Sequence, residues 1–327
     1  MELYTINLQL FANSNTNTTL DSGLSVENKT FYDKVLIREA QANLVHDQFG
    51  QKRNIPKNGG KTIEFRQIAA LPKATQPLTE GVTPDGSKID MTNIEATVSQ
   101  YGNYVEISDV LDLTAIDPMM VETVEIIGRQ AGLTLDTITR NILQSGTNVY
   151  YCPKEDGTKV TSRATLDSTC KLTVDVVRRV AAQLKACNAP KIDGSYVAII
   201  HPFAAYDLMH DDLFTDITRY GAAERLYEGE IGKVAGVRFI ESSEAYIAEG
   251  GVFCTLFMGA NAYGTTEVDG GGLKTIIKQL GSGGTADPLD QRATVGWKAM
   301  KTAEILIPHY LVRVESKSAF SDEAKAN

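Results

Sequence analysis

Residues 117–146 read DPMMVETVEIIGRQAGLTLDTITRNILQSG, the longest uninterrupted helical period in the chain. Met120, Val124, Ile127, Ala131, Leu135, Ile138 and Ile142 recur every three or four residues, which sets them in one stripe along a helix. Asp117 is placed to cap the first turn, Pro118 suits the first helical position, and Gly146 is placed to close the helix in the left-handed conformation. At 1.5 Å per residue such a helix is roughly 40 Å long, so it runs the length of whatever it packs on. Gly128 and Gly132 each cost up to about 1 kcal/mol in a helix interior, which predicts a bend or a neighbour that needs close approach. Glu122, Glu125, Arg129 and Arg140 have the spacing of an ordinary solvated face, so the helix reads as structural rather than catalytic.

The rest of the chain is attached to this helix. Its 327 residues are 43% hydrophobic and 22% charged, the composition of an ordinary soluble protein with room for a sizeable core. No apolar run approaches the ~18 residues of a membrane span, and the start lacks the pattern of a secretory signal. A net charge of −9 argues against a general nucleic-acid binder, whose affinity rests on Lys and Arg neutralising phosphates. Cys152, Cys170, Cys187 and Cys254 show no C-x-x-C and no nearby His, so they read as reduced thiols of a cytosolic product. A Cys152–Cys170 bridge across a hairpin is the minority alternative.

Upstream, residues 1–30 are polar, Asn/Thr-rich and aperiodic, which predicts a flexible arm. Residues 31–59 carry a helical pattern through Phe31, Val35, Leu36, Leu44 and Phe49, with His46 in an ordinary packing or surface role. From Gly60 the period becomes extended in KTIEFRQIAA and again in NIEATVSQYGNYVEIS. Between them lies a stretch punctuated by Pro72, Pro77, Gly81, Pro84 and Gly86, with a Pro-Asp-Gly turn at residues 84–86. Residues 60–108 therefore read as a long two-stranded excursion. Such a ribbon is marginal alone, so it is expected to lie on another subunit, a catalytic lid being the rival reading.

Downstream, an Asp156–Gly157 turn predicts a hairpin insertion within residues 109–172. At Thr173 a capped helix begins over VDVVRRVAAQLKACNA, followed by the strand SYVAIIH and the helix PFAAYDLMHD. Further strands at GKVAGVRFIES, VFCTLFMG and GLKTIIKQL go with a compact α/β unit over residues 173–260. ATVGWKAMKTAEILIPHYLVRVES supplies the strands by which residues 261–316 return toward the long helix, and residues 317–327 read as a flexible tail.

Catalytic motifs for phosphate, acyl or zinc chemistry are not found. The glycines at 270–272 and 281–284 lack a Lys-Ser/Thr tail and read as turns. His201 and His210, with Asp207, Asp211 and Asp212, are the best candidates for a metal or acid/base cluster. His201 ends a strand before Pro202 and His210 sits at a helix C-terminus, so structural roles are favoured for both. No catalytic, cofactor-binding or metal-binding residue is assigned, and no cofactor is expected.

The order of parts nevertheless resembles a known family. A polar arm, a long β excursion, a long capped helix and an α/β unit containing EGEIGKVAGVRFIESSE look like the major capsid protein of tailed bacteriophages with the Hong Kong 97 shell fold. The segment from Gly232 to Ser242, followed by Gly259–Ala260, is the part most similar to that family. NLQLFA near the start resembles the opening of capsid proteins from phages of Gram-positive hosts. The resemblance implies an α+β fold in which 60–108 is the extended loop reaching over a neighbour, 117–146 the spine helix of a peripheral domain and 173–260 the axial domain. It also implies hexamers and pentamers closing an icosahedral head around double-stranded DNA, in the virion and, during assembly, the host cytoplasm. Scaffolding, portal and decoration proteins are the implied further partners, with no membrane. Some family members cross-link through a lysine; Lys73 and Lys88 lie in the loop, but that chemistry is not carried over. A cytosolic α/β enzyme with 60–108 as its lid, and a nanocompartment subunit of the same fold, remain the alternatives.

Overall fold

The computed structural model describes residues 16–17, 36, 38–40, 44–68, 71, 73–78, 80–81, 83, 85–114, 119–214, 232–268, 271–279, 281–282, 287–320 and 324–327. The expected helix start at Asp117 and Pro118, the turn at Pro84, most of the N-terminal arm and part of the helical segment after it lie outside these residues. The strands are β1 (Thr16–Asn17), β2 (Gln51–Ile55), β3 (Thr62–Ile68), β4 (Met91–Thr97), β5 (Ser99–Ser108), β6 (Val149–Tyr151), β7 (Tyr196–Ile200) and β8 (Lys233–Val234). They continue with β9 (Val237–Glu241), β10 (Ile247–Ala248), β11 (Val252–Met258), β12 (Tyr263–Val268), β13 (Lys274–Lys278), β14 (Arg292–Ile305) and β15 (Leu311–Ser316). The α-helices are α1 (Asp109–Thr114), α2 (Met119–Gln144), α3 (Val174–Ala186) and α4 (Pro202–Met209).

The chain divides into two compact units. The first comprises Met1–Val45, Gln100–Asp136 and Gly270–Lys301; the second His46–Ser99, Thr137–Asp269 and Thr302–Asn327.

Along α2 the apolar stripe does what its period demands. Met120, Val124, Ile127, Ala131 and Leu135 are buried, while Ile138 and Ile142 are half-buried. The two glycines mark a close approach. A Cβ on Gly128 would lie 2.9 Å from the Leu36 carbonyl oxygen, and one on Gly132 would lie 2.9 Å from the Ala40 Cα. Leu36 and Ala40 thus press their backbone onto the helix where it has no side chain. Two expectations for α2 are corrected. Arg140 is buried rather than solvated, because carbonyls in the second unit claim its guanidinium. Gly146 is not left-handed: the helix closes through i→i−3 bonds, with the Ser145 hydroxyl donating to Ile142 O at 2.6 Å and the Gly146 N–H to Leu143 O at 3.3 Å.

In the first unit the strand order is β1-β5-β14-β13, with β1 parallel to β5 and β13 antiparallel to β14. Trp297 is buried there and donates its indole N–H to Gln130 Oε1 at 3.1 Å.

The second unit is built on a seven-stranded mixed sheet of order β6-β15-β11-β7-β9-β8, with β10 on β11. All five residues of β7 and all seven of β11 are buried, which is why both strands read as unbroken apolar runs. Val176, Val177, Val180 and Leu184 of α3 and Ala204, Ala205 and Leu208 of α4 join Phe253, Phe257, Val312 and Val314 in one core cluster. Thr173 caps α3, its side chain accepting from the Val176 N–H at 3.5 Å. Between β8 and β9, Ala235 and Gly236 both have positive φ, 52° and 83°, the backbone of a tight two-residue hairpin.

Candidate functional site

The extended reading of residues 60–108 resolves into three strands. Val98 parts β4 from β5; its N–H donates to Lys61 O at 2.8 Å, closing the base of the ribbon. β3 and β4 pair antiparallel over seven rungs, from Thr62↔Thr97 to Ile68↔Met91. Alternation gives the ribbon two faces. The inner face has Phe65 and Ala96 packed with Leu306, and half-buried Ile63, Ile94 and Ile307 around them. Gly264 permits this anchor, since a Cβ there would sit 2.7 Å from the Phe65 ring. Arg53 lies over the same ring at 5.6 Å.

Away from this anchor the ribbon's large apolar side chains face solvent. Leu78 is 77% and Ile89 66% exposed, and Ile68, Leu71 and Met91 are exposed as well. Lys73 and Lys88 are exposed on the same excursion. Five large apolar residues on one two-stranded element form the kind of surface that marks an interaction site.

The His/Asp candidates take structural roles. Nδ1 of buried His201 accepts the Phe203 N–H at 3.1 Å, making it the N-cap of α4, and its ring packs against Phe253 at 5.0 Å. Burial holds its pKa below the usual histidine value. His210 caps the other end of α4 and stacks on Tyr206 at 5.9 Å. Asp211 accepts the Val174 N–H at 2.8 Å and the Leu213 N–H at 3.0 Å, while buried Asp207 accepts the Ala319 N–H at 3.2 Å. Burial, only partly offset by these bonds, pushes the Asp207 carboxyl up. Asp212 is exposed. Among the described residues no three His, Cys, Asp or Glu side chains are placed to hold a metal ion. A cleft of about 1180 Å³ runs past Tyr150, Lys171, Arg179, Tyr206 and Asp212. Its charges are partly spent on local bonds, Arg179 on Asp175 at 2.7 Å and Asp211 on the start of α3.

Sequence reasoning missed two sites, one around a buried carboxylate and one around a buried guanidinium. Glu315 is fully buried and takes both Arg163 and Arg313. The signal was the alternation LVRVES, which puts Arg313 and Glu315 on one face of β15 and Val312 and Val314 on the other. Arg140 donates to Glu244 O at 2.8 Å and Asn327 O at 3.1 Å, and lies over Tyr246 at 5.4 Å. No short-range pattern marks that set, which joins residues over 100 positions apart. The four cysteines are free thiols, and burial raises Cys152, Cys170 and Cys254, the last to about 12.

No helix among the described residues is long and apolar enough to cross a membrane. The family model described as phage capsid protein matches residues 92–312. Among solved structures, the chain is similar to the capsid of Ralstonia phage GP4, with 14% identity, TM-score 0.64, and coverage of 96% of this chain and 98% of that one. It is similar to the capsid of cyanophage P-SCSP1u at 17% identity and TM-score 0.62, covering 83% and 87%. The capsid of cyanophage Pam1 matches at 14% identity and TM-score 0.63, covering 98% and 100%. No curated protein sequence matches. These identities speak for the fold alone, but the family model takes in well over half of the chain, which therefore belongs to the phage capsid protein family and has its Hong Kong 97-like α+β fold.

Proposed function

We propose that this chain is a major capsid protein that self-assembles, as hexamers and pentamers, into an icosahedral head enclosing double-stranded phage DNA. The observation that carries it is the ribbon: a family member of this fold presents a solvent-facing apolar strip that a second copy would cover. In this reading residues 60–108 are the extended loop over a neighbour and 109–172 a peripheral domain around the spine helix. Residues 173–260 are then the axial domain at the ring centres, and 261–316 return strands to the peripheral domain. The role is mechanical rather than catalytic. A net charge of −9 suits a container that encloses DNA without gripping it. Scaffolding, portal and decoration proteins are its further partners, and it passes from host cytoplasm into the virion.

Native mass spectrometry of the purified full chain tests this reading. Complexes of six and five copies, or larger multiples, are expected as concentration rises; a chain that stays monomeric throughout would overturn it.

A further inference from the structure

Cys152 and Cys170 share one place on the edge of β15. The Cys152 N–H donates to Glu315 O at 3.0 Å, and the Lys317 N–H, next along the same edge, donates to Cys170 O at 2.9 Å. In a parallel ladder, such as β6 makes with β15, these two bonds belong to a single facing residue. Here β6 ends at Tyr151, and the carbonyl of Cys170 takes the position that the carbonyl of Cys152 would fill. Residues so placed have Cα atoms about 5–6 Å apart, the usual separation across a disulfide.

Both side chains enter the same core. Cys152 and Cys170 are fully buried and belong to the cluster that contains Val174, Phe253 and Val314. The loop between them is already pinned beside the pair. Lys154 Nζ lies 2.6 Å from Asp167 Oδ2, and the Cys170 thiol donates to Asp167 Oδ1 at 3.4 Å. Burial raises the Cys152 thiol, and the nearness of Cys170 adds to that rise. The other two thiols stand elsewhere: Cys254 faces Glu315 from the opposite edge of β15, and Cys187 ends α3.

We propose that Cys152 and Cys170 are a site of oxidative modification, bridged within one chain when the protein meets a small-molecule disulfide in an oxidising medium. One protein thiol, deprotonated, attacks a sulfur of the small disulfide and expels its first thiol. The second protein thiol then attacks the mixed disulfide and expels the other. The two electrons and two protons lost by the cysteines end on the two small thiols released. Burial sets the order of events. Thiolate is scarce while both groups are in the core, so the pair stays reduced in a reducing cytosol. Opening of the exposed residues 155–159 admits the oxidant, and the finished bond is shielded by the same core. The timing rests on the reading that the chain passes from host cytoplasm into the virion, whereas the bond itself lies within one chain.

The full-length chain, purified reduced, is incubated with oxidised glutathione, alkylated in denaturant, digested with trypsin and mapped by mass spectrometry. Lys154, Lys159 and Arg163 lie between the two cysteines, so the bridge joins two separate tryptic peptides. That linked pair is expected in most chains, with an unfolding temperature about 5 °C above that of the reduced protein. The rise is expected to persist in Cys187→Ala and to vanish in Cys152→Ala and Cys170→Ala. Should a core alanine fail to fold, the peptide map and the reduced-against-oxidised comparison on the unaltered chain still decide. Cys152 and Cys170 recovered as alkylated thiols, as separate glutathione adducts or paired with Cys187 or Cys254 would overturn the proposal. The map reads the same from a lone chain as from a shell. An unbridged shell therefore sinks this proposal alone, and a bridged chain that stays monomeric sinks only the capsid reading.

Discussion

Arg163 grips Glu315 with two parallel hydrogen bonds, Nε to Oε2 at 2.7 Å and Nη2 to Oε1 at 2.6 Å, on a carboxylate that has 0% exposure. Arg313 adds a third charge, Nε lying 3.0 Å from Oε1. The pair ties the segment after β6 to β15, and the bonded carboxylate raises the guanidinium's affinity for its proton. Glu315→Ala leaves the partly buried Arg313 and the more exposed Arg163 without their shared carboxylate and is expected to cost about 3 kcal/mol in urea unfolding. Arg163→Ala costs less, about 1–2 kcal/mol, because Arg163 is partly exposed and Arg313 remains. Equal midpoints for Arg163→Ala and wild type would contradict this.

Gly132→Ala reverses the usual sign of a helix substitution. In an open helix it would gain up to about 1 kcal/mol. Here the new methyl meets the Ala40 backbone, and overpacking of that kind costs about 1–3 kcal/mol. Thermal unfolding of Gly132→Ala against wild type reads the sign directly.

Phe65→Ala removes the largest side chain under the ribbon. Because Phe65 belongs to a small cluster with Ala96 and Leu306, separate from the main core cluster, its loss should open the ribbon without unfolding the seven-stranded sheet. Hydrogen exchange is expected to show faster amides in β3 and β4 and unchanged protection in β7 and β11. A uniform loss of protection would contradict a separately anchored ribbon.

His201 makes stability depend on pH in a set direction. Its Nδ1 must be unprotonated to accept the Phe203 N–H, and burial holds its folded pKa below the unfolded value of 6.5. Between those two values the unfolded chain binds more protons. Stability is therefore full above the unfolded value and falls as pH drops toward the folded one. Buried Asp207, raised by desolvation, acts oppositely, but only above its unfolded value of 3.8 and up to its own folded value. His201→Asn keeps a capping acceptor and removes the titration. Urea midpoints at pH 7.5 and 5.5 should differ less for His201→Asn than for wild type; an equal difference would remove His201 from the account.

What could be read from the residues was whatever is written in local period. The stripe Met120 to Leu135, the apolar runs of β7 and β11 and the Thr173 cap each need only neighbours along the chain to reveal themselves. The resemblance rested on the order of such parts. Long-range facts were hidden for the same reason. Arg140 reads as a surface cation until the carbonyls of Glu244 and Asn327 are brought to it. Val98 sits inside one extended pattern, yet there the chain leaves the ribbon for a different sheet. The glycines of α2 announced a close neighbour or a bend; only the fold identifies Leu36 and Ala40 as what comes close.

The central claim is that many copies close into a shell. Negative-stain electron microscopy of the purified full chain, with mass from light scattering on the same sample, tests it most directly. Closed shells, or rings of six and five copies, are the expected result. A homogeneous monomer or dimer at every salt and protein concentration would contradict it.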